Sequence, residues 1–402
     1  MAGIGLVAID LPPASPDGWQ AATRRVLGRL LAVWEGGQAA LLLPPDPAAA
    51  DRLVAALRPT ARWPTADAEP YAPDPPGWPA PTGTALVVAT SGSTGQPKGV
   101  VLSHAALAAS TRASVARLGA EAGDRFALTL PLEHVAGVQV VLRAWACGTE
   151  PVLPDTPGVP PDDAEHLSLV PTQLARLLDD VIATTALARY RRVLVGGARL
   201  DPALAVHARD AGVPVVGSYG LSETGGGCVY DGRPLRDIEV ALNADGRVRL
   251  RGPVLLTGYR TAHAPLVVPT DAEGWLTTGD VGRWLDDGRL EVVGRADDVI
   301  ISGGENVPAE AVAAALRTLP GLADATVVGR PDPEWGAVVT AVVVPTDPAA
   351  PPALDDVRER LAQTLPRTWL PRAMVLVDRL PRTTLGKIDG AGRRQLAMDE
   401  RR

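Results

Sequence analysis

The two lysines of the chain are its most distinctive candidates for chemistry. Lysine and arginine together number 39 among 402 residues, yet only Lys98 and Lys387 are lysine. Both lie in glycine-rich stretches, 90–99 and 382–387. A lysine ammonium is a compact, strongly hydrated point charge, which suits a site where phosphate and carboxylate oxygens are joined. The alternative is that a codon bias towards arginine removed the surface lysines and spared two by chance.

The stretch 90–99 reads TSGSTGQPKG and follows an apolar run, Ala85 to Thr90, that predicts a buried strand. Backbone N–H groups left accessible by glycine, together with hydroxyl groups, can hold an anion. The stretch lacks the GK[ST] sequence of the Walker loop. It therefore predicts a phosphate-binding loop of another type, formed by Thr90, Ser91, Gly92, Ser93, Thr94, Gly95 and Lys98.

Composition argues against several functions. The net charge of −7 and the lack of a basic tract argue against a nucleic-acid partner. No apolar run approaches the roughly 20 residues that span a bilayer, and the N-terminus lacks the basic leader of a signal peptide. The 2 cysteines cannot form a zinc site, and the 5 histidines have no metal-ligand spacing. This cysteine usage suits a reducing cytosol, so we predict a cytoplasmic protein.

Alternating strands and helices between about 85 and 216 predict an α/β fold, in which a mostly parallel sheet carries helices on its faces. Binding loops would then lie at the carboxyl ends of the strands. The first 60 residues show one clear helical pattern, Trp19–Trp34, and a second helix is predicted at 172–182 after Pro171. A third is capped by Ser103 and ends before Gly119.

The pattern changes after about residue 235, where short strands between Gly and Asp turns predict β-hairpins. From Val299 onwards, alternating strands and helices predict a compact α+β unit with helices at 309–317 and 354–364. We therefore predict a large N-terminal domain at 1–294, a hinge at 295–298 and a small mobile C-terminal domain at 299–402.

Further motifs follow the phosphate loop along the chain. Together they resemble, in order, the motifs of the adenylate-forming superfamily, which includes acyl-CoA synthetases, luciferases and the adenylation domains of peptide synthetases. The resemblance covers residues from about 85 to about 390. The matching segments are Gly196-Gly197-Ala198, Tyr219 to Thr224, Thr278-Gly279-Asp280, Gly294 to Asp298, Ser302 to Asn306 and Pro381 to Lys387.

The resemblance implies how these segments bind MgATP. Tyr219 would stack on adenine, next to the loop Gly196-Gly197-Ala198. Glu223 would hold Mg²⁺, a cation that prefers carboxylate and phosphate oxygens, with the catalytic hydroxyl of Ser222 beside it. Asp280 would accept both ribose hydroxyls, and Arg295 would add a ribose or phosphate contact. Outside these motifs, the tyrosine would be read as a core residue and the charged side chains as solvated ones.

The resemblance also implies two half-reactions. Lys387 would bridge the substrate carboxylate and the α-phosphate in the first, where two anions are joined. The C-terminal domain would then rotate about Asp297 and withdraw Lys387. Gly303 and Gly304 would help to build a pantetheine tunnel, in which the CoA thiol attacks the acyl-adenylate. The implied cofactors are thus ATP, Mg²⁺ and CoA as second substrate.

Arg143 narrows the choice of acid substrate, because it places a charge inside an apolar run that predicts a buried helix. A buried charge is unfavourable unless it is paired. Arg143 therefore either forms an internal salt bridge, with Glu133 as one candidate, or binds a substrate carboxylate. His134 would line the acyl pocket or act as a structural hydrogen-bonding group. Gly225 begins a triple glycine that leaves room for a ligand against the backbone, and we place Ser218 in the same pocket.

The spacing from His134 to Arg143 and the string GGCVYDG at 226–232 resemble the o-succinylbenzoate–CoA ligases of menaquinone biosynthesis. Glu133, where an aromatic residue or histidine is usual, and Ser222, in place of threonine, depart from the family pattern. The implied partners are a small-molecule acid, ATP and CoA, with a homodimer as one assembly that the sequence leaves open. Three alternatives remain: another aryl- or short-acyl-CoA ligase, an adenylation domain that loads a carrier protein, and a non-catalytic nucleotide-binding protein.

Overall fold

The computed structural model describes residues 3–13, 18–65, 68–91, 97–156 and 159–381, apart from the side chains of Ser91, Asp297 and Asn306. The chain divides into two units, Met1–Val240 with Leu250–Leu276 and Ala241–Arg249 with Thr277–Arg402. Within the described ranges, no helix is long and apolar enough to cross a membrane.

The helices are α1 (Trp19–Glu35), α2 (Pro47–Leu57), α3 (His104–Leu118), α4 (Val135–Ala146), α5 (Pro171–Leu178), α6 (Val181–Leu187), α7 (Pro202–Asp210), α8 (Ala309–Arg317) and α9 (Leu354–Leu361). Short 3₁₀ turns lie at Ser222–Thr224, Ala296–Asp298 and Arg367–Trp369. The strands are β1 (Gly3–Ile4), β2 (Leu6–Asp10), β3 (Ala39–Leu43), β4 (Ala61–Trp63), β5 (Ala80–Pro81), β6 (Thr84–Ser91), β7 (Pro97–Ser103), β8 (Phe126–Ala127), β9 (His166–Leu169), β10 (Arg192–Val195), β11 (Val215–Leu221), β12 (Gly226–Tyr230), β13 (Arg233–Pro234), β14 (Glu239–Leu242), β15 (Arg247–Arg251), β16 (Gly258–Arg260), β17 (Leu276–Trp284), β18 (Leu290–Arg295), β19 (Val299–Ser302), β20 (Glu305–Pro308), β21 (Leu322–Asp332), β22 (Gly336–Pro345) and β23 (Ala373–Leu376).

Two six-stranded sheets organise the first unit. One has the strand order β16-β7-β6-β3-β2-β4 and the other the order β13-β12-β11-β10-β9-β8. Their central strands are parallel, and antiparallel strands complete one side of each sheet. The predicted α/β class with parallel strand–helix units is therefore confirmed. The strand–helix pattern suggested a single sheet, but the structure divides its strands between two.

Local signals explain most of the first unit's helices. Ser103 caps α3 by accepting a hydrogen bond from the N–H of Ala106, and Gly119 ends it with a φ of 65°. The prediction of a single helix at 172–182 was wrong, because Asp180 caps a separate helix, α6, through the N–H of Ala183. Helix α2 was missed in the sequence. Its local signals are present in the sequence, since Asp46 caps it and Pro47 begins it.

The second unit contains the hairpins and the α+β part of the chain. Strands β17 and β18 pair antiparallel, and β19 and β20 form a hairpin around Gly303 and Gly304. Strands β21, β22 and β23 form a sheet whose apolar face packs with α8 and α9. Helix α8 has the predicted bounds. The predicted hinge at 295–298 lies inside this unit, and the division into domains that move about it stays a prediction.

A buried arginine joins distant segments of the first unit. The side chain of Arg260, on β16, is fully buried. Its guanidinium donates to the carbonyl oxygens of Leu57 and Arg58 at the C-terminal end of α2, and to those of Trp78 and Pro79. Burial and then the charge of Arg58 lower its pKa to about 10, so the group is protonated at neutral pH. The negative end of the α2 dipole therefore faces a fixed cation.

We expect Arg260→Met to lower the free energy of unfolding by about 3 kcal/mol, because it leaves several buried carbonyl oxygens without a donor. Urea denaturation followed by tryptophan fluorescence measures this change. Arg251→Met is the matched control, since the exposed Arg251 pairs with Glu239 at the surface and its loss should have little effect. Equal losses in the two variants would show that Arg260 has no special structural role.

Candidate active site

Lys98, Glu223 and Tyr259 converge at one point of the first unit. Lys98 lies on β7, Tyr259 on the adjacent strand β16, and Glu223 in the 3₁₀ turn Ser222–Thr224. The Lys98 Nζ lies 3.4 Å from Glu223 Oε1 and 3.7 Å from the centroid of the Tyr259 ring. The Tyr259 hydroxyl lies 2.9 Å from the same Oε1 and donates to it. Burial and then the charge of Glu223 raise the pKa of Tyr259, so this hydroxyl keeps its proton.

The carboxylate of Glu223 fits a magnesium ion that arrives with a nucleotide. Mg²⁺ commonly takes one or two protein carboxylates and completes its shell with phosphate oxygens and water. Glu223 keeps 15% of its side-chain surface exposed, so its carboxylate is reachable. In the part of the chain that the structure describes, no group of three or more His, Cys, Asp or Glu residues forms a metal site of its own. The arrangement thus suits a metal held jointly with substrate phosphates.

The predicted phosphate loop lies between β6 and β7, which pair antiparallel. Thr90 is opposite Lys98 and Ser91 is opposite Pro97. The Thr90 hydroxyl contacts the Lys98 carbonyl oxygen at 3.4 Å. Residues 92–96, which include Gly92, Ser93, Thr94 and Gly95, lie outside the described residues. The two ends of the loop therefore bring Thr90 and Lys98 together, as a loop that holds one anion requires.

The loop after β10 approaches β11 closely. A Cβ atom on Gly196 would lie 3.2 Å from the Cβ of Ser218, so only glycine fits without displacement. Gly197 has a φ of 81°, a conformation that favours glycine. Ala198 follows and is exposed, while Tyr219 is partly buried beside Ser218 on β11. These predicted adenine-side residues thus lie on β11 and in the loop that follows the neighbouring parallel strand β10.

Two helices hold the start of β12 through one carbonyl group. The carbonyl oxygen of Gly225 accepts from Gln139 Nε2 on α4 at 2.6 Å and from Ser110 Oγ on α3 at 3.3 Å. Gly225 follows the turn that carries Glu223 and has a φ of 61°. A Cβ on Gly226 would lie 3.0 Å from Gln139. The triple glycine therefore leaves room for side chains of the protein itself. The sequence pattern predicted room for a ligand there and did not reveal this packing reason.

Arg143 lies one helical turn after Gln139 and is buried between α4, α3 and β9. It donates from Nη1 to Ser114 Oγ at 3.2 Å and from Nη2 to Ser168 Oγ at 3.1 Å. Ser114 in turn lies 2.7 Å from the hydroxyl of Tyr230. Within the part of the chain that the structure describes, the buried Nε of Arg143 has no hydrogen-bond partner. The guanidinium is thus surrounded by neutral hydroxyl groups.

The internal salt bridge that the sequence left open is not formed. Within the described ranges, Arg143 makes no ion pair with Glu133 or any other carboxylate. Burial raises the pKa of Glu133, which lies two residues before α4. His134 occupies the N-cap position of that helix and is partly buried.

A buried histidine–aspartate pair lies behind Arg143. His166 Nε2 is 3.0 Å from Asp124 Oδ2, and Asp124 also accepts from Arg191 at 3.0 Å. The ring of Phe126 stacks on His166, with 4.6 Å between the ring centroids, and its centroid lies 5.7 Å from the guanidinium carbon of Arg143. Burial lowers the pKa of His166, so the ring is neutral near pH 7 and donates its Nε2 proton to the carboxylate.

In the second unit, the structure brings Asp280 and Arg295 together. They are opposite each other on β17 and β18, with Arg295 Nη1 at 3.3 Å from Asp280 Oδ1. A Cβ on Gly279 would lie 2.5 Å from the Arg295 guanidinium, so the glycine lets this flexible side chain lie against the backbone. Asp280 is buried whereas Arg295 is exposed. The pair thus places an arginine beside the Asp280 carboxylate on the β17–β18 hairpin.

The remaining predicted residues of the second unit lie in turns. Gly303 and Gly304 have φ angles of 58° and 83° and form the two-residue turn of the β19–β20 hairpin. The Gly303 N–H donates to the carbonyl oxygen of Trp335 at 2.9 Å. The backbone of Asp297 lies in the 3₁₀ turn Ala296–Asp298. Lys387 lies outside the described residues.

Sequence reasoning missed several residues of these clusters. Tyr259 lies in the segment Thr257-Gly258-Tyr259-Arg260, whose only local signal was a glycine before an aromatic residue. Gln139 precedes Arg143 by four positions, so its place on the same helix face could have been found from the helical period. Ser114 and Ser168 gave no signal, because hydroxyl residues in a helix and a strand are common and their meeting depends on the tertiary fold.

Comparisons with known proteins agree with this arrangement. Residues 32–259 match the model of the AMP-binding enzyme family, and residues 311–387 match that of the AMP-binding enzyme C-terminal domain. The chain is a member of the AMP-binding enzyme family. This family membership confirms the resemblance drawn from the ordered motifs, and it supports an acid–CoA ligase rather than a non-catalytic protein.

Several individual members of the AMP-binding family are similar to this chain. A probable 2-succinylbenzoate–CoA ligase of Mycobacterium tuberculosis is 40% identical over 321 residues, covering 76% of this chain and 83% of that protein. The 2-succinylbenzoate–CoA ligase of Bacillus subtilis is 32% identical, covering 76% of this chain and 67% of that protein. The crystal structure of o-succinylbenzoate CoA synthetase from Bacillus subtilis with its acyl-adenylate intermediate aligns with a TM-score of 0.76 and 26% identity, over 100% of this chain and 90% of that one. ATP-bound MatB from Rhodopseudomonas palustris, at a TM-score of 0.82 and 22% identity over 99% of this chain and 90% of that one, shares the fold.

The buried pair of this AMP-binding enzyme predicts a pH effect on stability. His166 has a lowered pKa in the folded state against 6.5 in the unfolded chain, so the unfolded state binds the proton first as pH falls. The stability that comes from neutral His166 is complete above about pH 6.5 and is lost as pH falls towards the folded pKa. We therefore expect the free energy of unfolding to decrease more steeply between about pH 7 and pH 5 in the wild type than in His166→Gln, because the glutamine amide can donate to Asp124 but does not titrate.

Urea denaturation at several pH values measures these slopes. His207→Gln on α7 is the matched control, since His207 is exposed and its slope should follow the wild type. A His166→Gln slope equal to that of the wild type would exclude this histidine as the origin of the pH effect.

Proposed function

We propose that the chain is an ATP-dependent ligase that converts o-succinylbenzoate, through an acyl-adenylate, into its CoA thioester, as in menaquinone biosynthesis. The relatives named 2-succinylbenzoate–CoA ligase support this substrate. We also propose Mg²⁺ as the metal, a cytoplasmic location and a homodimer, which rest on the resemblance of the motifs and on the composition. We also propose that the site residues to which the sequence resemblance gave a role keep that role in this enzyme.

The single observation that carries the choice of acid is the buried guanidinium of Arg143. Its two described hydrogen bonds go to hydroxyl groups, and its Nε–H has none. A buried cation without a counter-ion is unfavourable, and a carboxylate that accepts two parallel N–H groups is its best partner. o-Succinylbenzoate has two carboxylates, one on the succinyl chain and one on the ring. The succinyl carboxylate would be activated while the ring carboxylate pairs with Arg143.

The chemistry then needs positioning and charge stabilisation, with no side-chain nucleophile. A carboxylate oxygen attacks the α-phosphorus of ATP, and the bond to the pyrophosphate oxygen breaks. The CoA sulfur then attacks the acyl carbon, and AMP leaves with the electron pair of the C–O bond while the thiol gives up its proton. Lys98 and the Ser222 hydroxyl would bind phosphate oxygens. Mg²⁺ held by Glu223 would supply a Lewis acid at the phosphates.

One prediction of the proposed function tests Arg143 as the partner of the substrate's ring carboxylate. We expect Arg143→Gln to raise the KM for o-succinylbenzoate about 10-fold to 100-fold, because a charged hydrogen bond of about 1.5–3 kcal/mol is lost. The KM for ATP should hardly change. CoA-thioester formation measured with o-succinylbenzoate, benzoate and a fatty acid gives these constants and identifies the preferred acid.

Arg112→Gln, at an exposed position of α3, is the control for a lost positive charge. A wild-type preference for benzoate or a fatty acid would instead favour another acyl-CoA ligase. Activity that requires a carrier protein rather than CoA would favour an adenylation domain. An unchanged KM in Arg143→Gln would assign Arg143 to structure alone.

Another prediction of the proposed function separates adenylate formation from thioester formation. We expect Lys387→Ala to abolish adenylate formation, because joining two anions needs a cation at the bridging oxygens. Thioester formation from supplied acyl-adenylate should remain close to that of the wild type. ATP–pyrophosphate exchange measures the first half-reaction, and release of AMP from synthetic acyl-adenylate with CoA measures the second. Equal losses in both assays would disprove the separate use of Lys387.

A further inference from the structure

We propose that Ser114 and Ser168 are specificity-determining residues: their neutral hydroxyl groups hold Arg143 in place without cancelling its charge, so that the site selects acids with a second anionic group. This inference rests on the proposed function of Arg143 and names the residues that make it selective. The two serines and Tyr230 are here called the hydroxyl collar.

The hydroxyl collar is fixed by three different elements. Ser114 projects from α3 one turn after Ser110, and Arg143 projects from α4 one turn after Gln139. Both upstream residues bind the Gly225 carbonyl oxygen, so the two helices are anchored next to each other at β12. Ser168 shares a face of β9 with His166, two positions away, while Leu167 and Leu169 face the opposite core. The collar therefore holds Arg143 from both sides in one orientation.

The positive charge is not cancelled within the described chain. Burial lowers the pKa of Arg143, and the group that acts against this shift is the Tyr230 phenol rather than a carboxylate. Asp124, which lies beyond the Phe126 ring, is already engaged by His166 and Arg191. Each collar hydroxyl can accept a hydrogen bond while carrying no charge. The two serines thus orient the guanidinium but do not neutralise its charge. An anionic group of the ligand would neutralise it.

A carboxylate in the hydroxyl collar would replace the ligand. An aspartate at position 114 or 168 would form an internal ion pair with Arg143. Arg143 would then no longer be available to the ligand's carboxylate, and ligand binding would weaken strongly. If the serines served only to satisfy N–H groups, an aspartate and an asparagine would be equivalent apart from their bulk. The comparison of these two substitutions therefore isolates the charge, because the side chains have nearly the same size.

The experiment compares Ser168→Asp with Ser168→Asn in the full-length enzyme. The substrates are o-succinylbenzoate and 4-oxo-4-phenylbutanoate, which keeps the reacting chain and lacks the ring carboxylate. We expect the ratio of kcat/KM for o-succinylbenzoate to that for the analogue to be about tenfold or more lower in the aspartate variant than in the asparagine variant. The KM for ATP should be the same in both. Equal ratios in the two variants would overturn the inference, even if the wild type uses o-succinylbenzoate well.

A stability measurement does not depend on the acid and covers the case in which the proposed substrate is wrong. An uncancelled charge predicts that Ser168→Asp unfolds at a higher temperature than Ser168→Asn, because the aspartate supplies the missing counter-ion. Ser114→Asp and Ser114→Asn repeat both measurements from the other side of the guanidinium and replace the first pair if either variant fails to fold. An aspartate variant no more stable than its asparagine counterpart, at whichever position folds, would overturn the inference.

Discussion

A positive charge buried among hydroxyl groups constrains the first unit more than any other single interaction. Arg143 projects from α4 into a space bounded by α3 and β9, and each of these two elements supplies one hydroxyl group to the guanidinium. Such a group tolerates no shift of α3 against α4, since a moved hydroxyl would leave another buried N–H unpaired. The anchoring of both helices on the Gly225 carbonyl oxygen is thus a requirement of the buried charge.

The same constraint links the acid side of the site to the nucleotide side. Gly225 follows directly after the turn that carries Glu223, and β12 leads from Gly226 to Tyr230 beside Ser114. A glycine is needed at Gly227 because a Cβ there would collide with Ser218 and the Tyr230 ring. One short glycine-rich strand therefore passes from the predicted metal ligand to the hydroxyl collar. A displaced acid pocket would move the turn of Glu223 with it.

Sequence reasoning succeeded where one local segment contains the whole signal. The cap of α3 at Ser103, its end at Gly119 and the bounds of α8 follow from short patterns, and the ordered motifs were sufficient to identify the superfamily. It failed where the cause is tertiary. Helix α2 is held at its C-terminal end by Arg260, about 200 residues away in the chain. The break between α5 and α6 is different, because its signal is local and was overlooked: Asp180 caps α6 at the N–H of Ala183. The hydroxyl collar could not be predicted, because its members come from segments that only the fold brings together.

Two buried arginines of the first unit show why burial alone does not indicate function. Arg260 and Arg143 are both inaccessible to solvent. The described partners of Arg260 are main-chain carbonyl oxygens, including those at the negative end of a helix, so the protein itself compensates the charge. The described partners of Arg143 are side-chain hydroxyls, which bring no helix dipole to oppose the charge, and its Nε–H has no partner among the residues that the structure describes. The protein itself compensates the first charge, whereas the second has no counter-ion among the described residues, and this difference supports the proposal that Arg143 binds an anion.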